Sequence, residues 1–217
     1  MISHRAQAAL ERGREWEERD NLPKAIKAYL EAAAIEHDWE VPHRRLGALY
    51  LETGRYDEAA AAFRQAKRLV PPGDGSIDDL LNVIDLIQAG ALKPAAYRHY
   101  VMARDMPDDQ LDQKMAWCQE ALNLNPTFAP PYAVLGKVLL AKGHPNQARV
   151  VLERGLVCNP TPFTQATLLF NLGNVFLASG LRDGALDSFR QAVELNANPS
   201  VTRFATIQLE AAIAGRI

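Results

Sequence analysis

Apolar residues recur along most of the chain at intervals of three and four, the spacing that gathers them on one face of a helix. The runs come in pairs. A short break separates the two members, as at Thr53-Gly54-Arg55, Lys142-Gly143-His144 and Ser179-Gly180-Leu181, each with a glycine available to end a helix. Prolines close the pairs at Pro71, Pro126, Pro160 and Pro199, where a helix must stop. A lone run, Ile77, Leu80, Leu81, Ile84 and Ile87, opens at Asp74-Gly75-Ser76 and closes at Gly90. The tail carries a last run through Val201, Phe204, Ile207, Leu209, Ala212 and Ile213. No stretch rich in Val, Ile and Thr alternates with period two between turn signals, so the pattern predicts an all-α fold without a sheet.

The pairs repeat. Leu46-Gly47-Ala48-Leu49-Tyr50 precedes Gly54, and Ala59, Phe63, Ala66 and Pro71 follow. The same order returns as Tyr132, Leu135-Gly136, Leu139, Gly143, Ala148, Leu152, Gly155 and Pro160, and again as Leu169, Leu172-Gly173, Phe176, Gly180, Ala185, Phe189 and Ala192. Gly13, Trp16, Ala25, Tyr29 and Ala32 form a weaker copy; Gly13 to Gly47 and Ala25 to Ala59 are both 34 apart. Small residues at Gly13, Gly47, Gly136 and Gly173, and at Ala25, Ala59, Ala148 and Ala185, let neighbouring helices approach. A large residue such as Tyr50, Phe63, Leu152, Phe176 or Phe189 fills the gap. The arrangement closely resembles the tetratricopeptide repeat, with its period of 34 and its W-x2-L-G-x2-Y, A-x3-F, P signature. That resemblance implies a right-handed superhelical solenoid of antiparallel helix pairs.

One solenoid over 1–217 is expected, with units at about 6–39, 40–73, 95–128, 129–162 and 166–199. The unit at 95–128 is degenerate, because Met102 and Lys114 stand where the pattern calls for Gly and Ala. Residues 74–94 form an extra helix. A second phasing pairs 76–90 with 92–105 and makes 109–124 the odd helix; both leave three helices between Pro72 and Pro126. The helix over 200–217 reads as a cap, since a solenoid needs its last apolar face covered.

Charge changes the functional picture more than the fold. Lys and Arg number 24 against 26 Asp and Glu, a balance that argues against nucleic-acid binding. Charged side chains thin out toward the C-terminal half, which leaves it more apolar surface and makes it a candidate for self-association. The two cysteines, Cys118 and Cys158, exclude a disulfide-rich scaffold and a four-thiolate zinc site. Residues 1–30 carry charges throughout and no apolar core of a signal peptide. No stretch approaches the roughly eighteen uncharged apolar residues that span a bilayer. A cytoplasmic location without membrane insertion is therefore expected.

Candidate chemistry is sparse. The histidines His4, His37, His43, His99 and His144 are scattered, and no pair sits at metal-ligand spacing on a helix. Asp78-Asp79 and Asp108-Asp109 with Asp112 fall at predicted helix starts, where carboxylates cap free N–H groups and meet the helix dipole. Gly73-Asp74-Gly75-Ser76 lacks the preceding strand and the Gly-Lys-Ser/Thr of a phosphate loop. Cys118 shares an apolar stripe with Met115, Ala121 and Leu122 and reads as a buried thiol, whereas Cys158, at a helix end, reads as more exposed. No catalytic residue, metal or cofactor is implied.

The resemblance implies that the first helix of each unit lines a concave face that takes an extended peptide or a helix. Carried over unit by unit, it places Arg14 and Glu17, Arg44 and Ala48, His99 and Ala103, Ala133 and Lys137, then Phe170, Asn171 and Asn174 on that face. The carboxylate-gripping subtype of the family is not matched, because Leu10, Arg14 and Arg45 stand where it carries Lys and Asn. Asn171 and Asn174 resemble the asparagines that hold peptide backbone in the superhelix of O-linked N-acetylglucosamine transferase. The expected function is a non-catalytic scaffold binding a protein or peptide in the groove through Arg14, Arg44, His99, Lys137, Phe170, Asn171 and Asn174. The alternatives are a self-associating assembly protein and a regulatory subunit of a separate enzyme.

Overall fold

The computed structural model of the protein describes residues 2–71 and 74–214. Pro72, Gly73 of the Gly73–Ser76 motif, and Arg216 and Ile217 of the tail lie outside the described residues. Among the described residues the fold is all-α, without a strand. In chain order the helices are α1 (His4–Glu18), α2 (Leu22–Ile35), α3 (Glu40–Glu52), α4 (Tyr56–Leu69), α5 (Ser76–Gln88) and α6 (Pro94–Asp105). They continue as α7 (Leu111–Leu124), α8 (Pro130–Ala141), α9 (Pro145–Leu156), α10 (Pro162–Ala178), α11 (Arg182–Leu195) and α12 (Pro199–Ile213). The chain divides into two compact units. The first holds α1–α4 and α5 from Leu80 onward; the second holds the start of α5 through Asp79 and α6–α12.

Local signals set the helix ends. Asn21, Thr161 and Asn198 each place a side-chain oxygen on the backbone N–H three residues ahead, at 3.2–3.3 Å, satisfying a donor that the first turn leaves free. Pro94, Pro130, Pro145, Pro162 and Pro199 stand in the first turn, where no N–H is missed. The hairpin turns after α3, α8 and α10 share one closure. In the first of these, Gly54 takes φ 76° and the Arg55 N–H reaches back to the Tyr50 carbonyl at 2.8 Å. Gly143 and Gly180 repeat it, and the geometry needs a residue that tolerates left-handed backbone. The turn after α1 makes the same bonds with Asp20 at φ 53°. Its lack of glycine is one reason the first copy reads weakly in sequence.

In the first unit α1 packs on α2, α2 on α3 and α3 on α4. Gly13 faces the Tyr29 ring, and a Cβ at Gly13 would come within 2.3 Å of it; at Gly47 the Phe63 ring would lie 2.7 Å away. Tyr29 and Phe63 are buried, and the Tyr29 hydroxyl donates to the Glu17 carboxylate.

In the second unit α6 pairs with α7, α8 with α9 and α10 with α11, while α12 packs on α11 and α10. Gly136 meets Leu152 and Gly173 meets Phe189 in the same glycine-to-large register. One apolar cluster centres on Tyr132, Leu135, Leu152, Leu168 and Val175, and a second on Ala166, Leu169, Phe189, Val201 and Ala205. Truncating a buried aromatic such as Phe189 to Ala costs about 3–5 kcal/mol by lost transfer energy and the cavity left behind. The start of α5 is tied into this unit by the Gly75 N–H donating to the Ala197 carbonyl at 2.8 Å.

Candidate functional site

The second unit carries an open cavity of about 840 Å³. Helical periodicity brings its main wall together: Phe163, Thr164, Thr167, Phe170, Asn171 and Asn174 recur at three and four residues along α10 and therefore share a face. Ala133, Val134 and Lys137 of α8 supply a second wall. Tyr100 and Arg104 of α6, and Val201 and Phe204 of α12, add further lining. Four aromatic rings thus border the space, with Asn171, Asn174 and Asn198 as its amide groups. Asn171 donates through Nδ2 to the Ala133 carbonyl at 3.0 Å, which fixes α10 against α8. The Asn174 side chain makes no hydrogen bond among the described residues. Phe170 is held by the buried Phe189 ring, with centroids 5.8 Å apart.

Charge collects at one part of the lining. Lys114 of α7 has only 7% of its side chain exposed, and its Nζ donates to Asp108 Oδ1 at 2.6 Å. Lys137 donates to the same carboxylate, at 3.1 Å to Oδ2. Two ammonium groups beside it hold the Asp108 carboxyl below the usual carboxylate range, the hydrogen bond from Lys114 first. This corrects the capping role expected of Asp108: α7 begins at Leu111 behind Gln110 with no side-chain cap bond, and the carboxylate goes to the lysines instead. It also explains Lys114 at a position that the repeat reserves for alanine. A buried ammonium needs a paired anion, and the short loop before α7 provides one.

A second carboxylate lies deeper. Asp79, in the first turn of α5, accepts hydrogen bonds from the hydroxyls of Thr161 and Thr164, the latter at 2.9 Å. Burial pushes the Asp79 carboxyl up, and the two hydroxyls oppose that shift without cancelling it. Asp79 thus does more than meet the dipole of its own helix, since it anchors the N-terminus of α10. Arg104 is engaged by Asp105 at 2.7 and 2.8 Å. Burial pushes the Tyr97 hydroxyl up to about 12.

Of the residues expected on a concave face, Ala133, Lys137, Phe170, Asn171 and Asn174 line this one cavity. His99 does not line it; its ring packs against Trp117 with centroids 5.1 Å apart, and His99 Nδ1 and Trp117 Nε1 are both buried without a hydrogen-bond partner. Arg14 and Arg44 belong to the first unit, where Arg14 pairs with Glu11 at 2.7 Å. Arg104, Asp108, Lys114 and Asn198 were not among the expected groove residues. The signal for Lys114 was its departure from the repeat; Asp108 and its lysines are brought together only by tertiary packing. No group of three or more His, Cys, Asp or Glu side chains among the described residues is placed to hold a metal ion. Cys118 is buried, its thiol pushed up to about 12 by burial. Cys158 is partly exposed.

The tetratricopeptide-repeat family profiles match residues 42–72 and 166–199. These segments contain the Gly47–Phe63 and Gly173–Phe189 contacts, the register on which the hairpins close. Both segments are tetratricopeptide repeats (TPR). Human protein O-mannosyl-transferase TMTC3 is 24% identical to it over 204 residues, 88% of this chain and 20% of the relative. This chain therefore spans about a fifth of that relative's length. Among solved structures, the TPR protein TTC0263 of Thermus thermophilus is 17% identical, with 96% of this chain and 99% of the other covered and a TM-score of 0.42. YrrB, a TPR protein with an unusual peptide-binding site, is 17% identical, with coverages of 93% and 91% and a TM-score of 0.41. No helix among the described residues is long and apolar enough to cross a membrane.

Proposed function

We propose that the chain is a non-catalytic interaction scaffold of the cytoplasm, and that the cavity of the second unit docks a peptide segment of a partner protein. The observation that carries this reading is the composition of that cavity. Aromatic and aliphatic side chains offer apolar area, while Asn171 and Asn174 offer amide groups suited to peptide backbone. The wall is preformed by packed helices, which lowers the ordering cost of association. In this reading the repeat units at 6–39, 40–73, 95–128, 129–162 and 166–199, the helix within 74–94 and the closing helix within 200–217 form the scaffold. Arg14, Arg44 and His99 then have structural or secondary roles. The transferase activity in the name of TMTC3 belongs to that longer protein and is not assigned to this chain.

Affinity capture from the source cell tests the reading. Partners recovered with the wild-type chain are expected to be lost with Lys137→Glu/Asn174→Glu, while helicity by circular dichroism stays unchanged. Equal recovery by the two proteins refutes the docking role of the cavity.

A second reading, self-association, has its own supporting observation. Phe204, Ile207 and Ile213 of α12 are 47%, 53% and 68% exposed, more apolar area than a helix needs to show solvent. Light scattering coupled to size exclusion decides it: a dimer that Ile207→Glu dissociates supports it, and a monomer at all concentrations removes it.

A further inference from the structure

The cavity's charged part has an internal occupant. Asp108 sits in the loop between α6 and α7 with 72% of its side chain exposed, yet it serves both Lys114 and Lys137. The two lysines need it unequally. Lys114 is buried and approaches Asp108 at 2.6 Å, whereas Lys137 is 62% exposed, reaches it at 3.1 Å and lies on the cavity wall. One carboxylate therefore neutralises two cations, and the more exposed cation is only partly satisfied. Val134 and Phe170 line the same cavity and accept an apolar side chain but no charge.

We infer that the docked peptide carries an acidic side chain next to an aromatic or large aliphatic one, and that its carboxylate takes over Lys137 from Asp108. This rests on the docking role proposed above and names the chemistry of the ligand. The charge count supports it, because among the described lining residues Lys114 and Lys137 share Asp108 as their one carboxylate, while Arg104 is already paired with Asp105. An acidic group entering there meets complementary potential, and a basic one meets two ammonium groups. Asp108 keeps Lys114 neutralised throughout, so no buried ammonium is stranded when Lys137 changes partner.

A random peptide display library selected on the wild-type chain provides the probe. Enriched peptides are expected to carry Asp or Glu adjacent to Phe, Leu, Ile or Trp. One such peptide, labelled with fluorescein, is then measured by anisotropy beside its Glu→Gln counterpart. Wild type is expected to bind the acidic peptide roughly fivefold or more tightly than the neutral one. Lys137→Gln should abolish that difference, and Asp108→Asn should tighten the acidic peptide without affecting the neutral one. Thermal melts of each variant separate loss of binding from loss of fold, and Lys137 is exposed enough for Lys137→Gln to leave the fold intact. Enrichment of neutral or basic peptides that Asn174→Glu still eliminates overturns the acidic inference and leaves docking standing. Enrichment that Asn174→Glu does not affect, or none at all, overturns both.

Discussion

Gly136 gives the most exacting test of how the hairpins close. A Cβ added there would stand 2.4 Å from Leu152 Cδ2 and 2.5 Å from Cγ, about 1 Å short of ordinary contact, which begins at 3.4 Å. Leu152 has no exposed surface, so it cannot swing outward into solvent. Its Cγ, close to the backbone, would have to move as well as its tip. Replacing glycine by alanine inside a helix gains about 1 kcal/mol from the backbone. Overpacking a filled core costs about 1–3 kcal/mol. Gly136→Ala should therefore lose between about 0 and 2 kcal/mol, and Gly136→Leu, with more atoms to place, should lose more. The sign alone separates this seam from an exposed helical glycine, which alanine would stabilise. A double-mutant cycle removes the remaining ambiguity. Leu152→Ala alone costs about 2–5 kcal/mol, but it also clears the space into which the new methyl group fits. Gly136→Ala/Leu152→Ala should fall short of the summed losses by roughly 1–2 kcal/mol. Urea denaturation followed by circular dichroism measures all four proteins. Additive losses, or a stabilising Gly136→Ala, would refute close approach at this contact.

The turns, the carboxylates and the thiols behave differently. Gly180 stands at φ 71° with nothing within 4 Å of an added Cβ, so Gly180→Ala should lose about 1–2 kcal/mol from backbone strain alone, and a matching loss at Gly143→Ala checks the cause. The raised carboxyl of Asp79 makes its contribution full below the ordinary carboxylate pKa, with loss as pH rises through the raised value. Asp79→Asn should flatten that decline with rising pH in a stability–pH series, and an unchanged decline would exclude Asp79 as its source. Asp108 works the other way: its depressed pKa gives stability above the ordinary carboxylate range that falls away as pH drops, and Asp108→Asn should remove that acid-side loss. Cys158 should react with a thiol reagent in the native protein while Cys118 reacts only at the rate of unfolding; two equally fast thiols would contradict the burial of Cys118.

Much of the architecture was legible because it rests on short-range spacing. Gly47 and Phe63, or Gly173 and Phe189, recur at fixed offsets, and the contact they make is the reason for the offset. The turns at Gly54, Gly143 and Gly180 declared themselves through the one residue type that their backbone favours. The turn at Asp20 did not, because a carboxylate residue in left-handed backbone carries no distinctive letter. The candidate site was legible only where it inherits helical periodicity, as along Phe170, Asn171 and Asn174. Thr164 and Asp79 lie 85 residues apart in sequence, so no local pattern joins them. Lys114 was visible as an anomaly, but its meaning depends on Asp108 and Lys137, which packing supplies. Asp108 misled for a physical reason: acidic residues before a helix usually cap it, and nearby ammonium groups outcompete the free N–H donors.

Photo-cross-linking from position 170 tests the docking role most directly. With benzoylphenylalanine in place of Phe170, irradiation in the source cell should give a discrete adduct that Asn174→Glu eliminates, while the same probe at Leu30 of the first unit gives none. A discrete adduct at position 30 with none at 170, or one at 170 indifferent to Asn174→Glu, would contradict a peptide-docking cavity in the second unit.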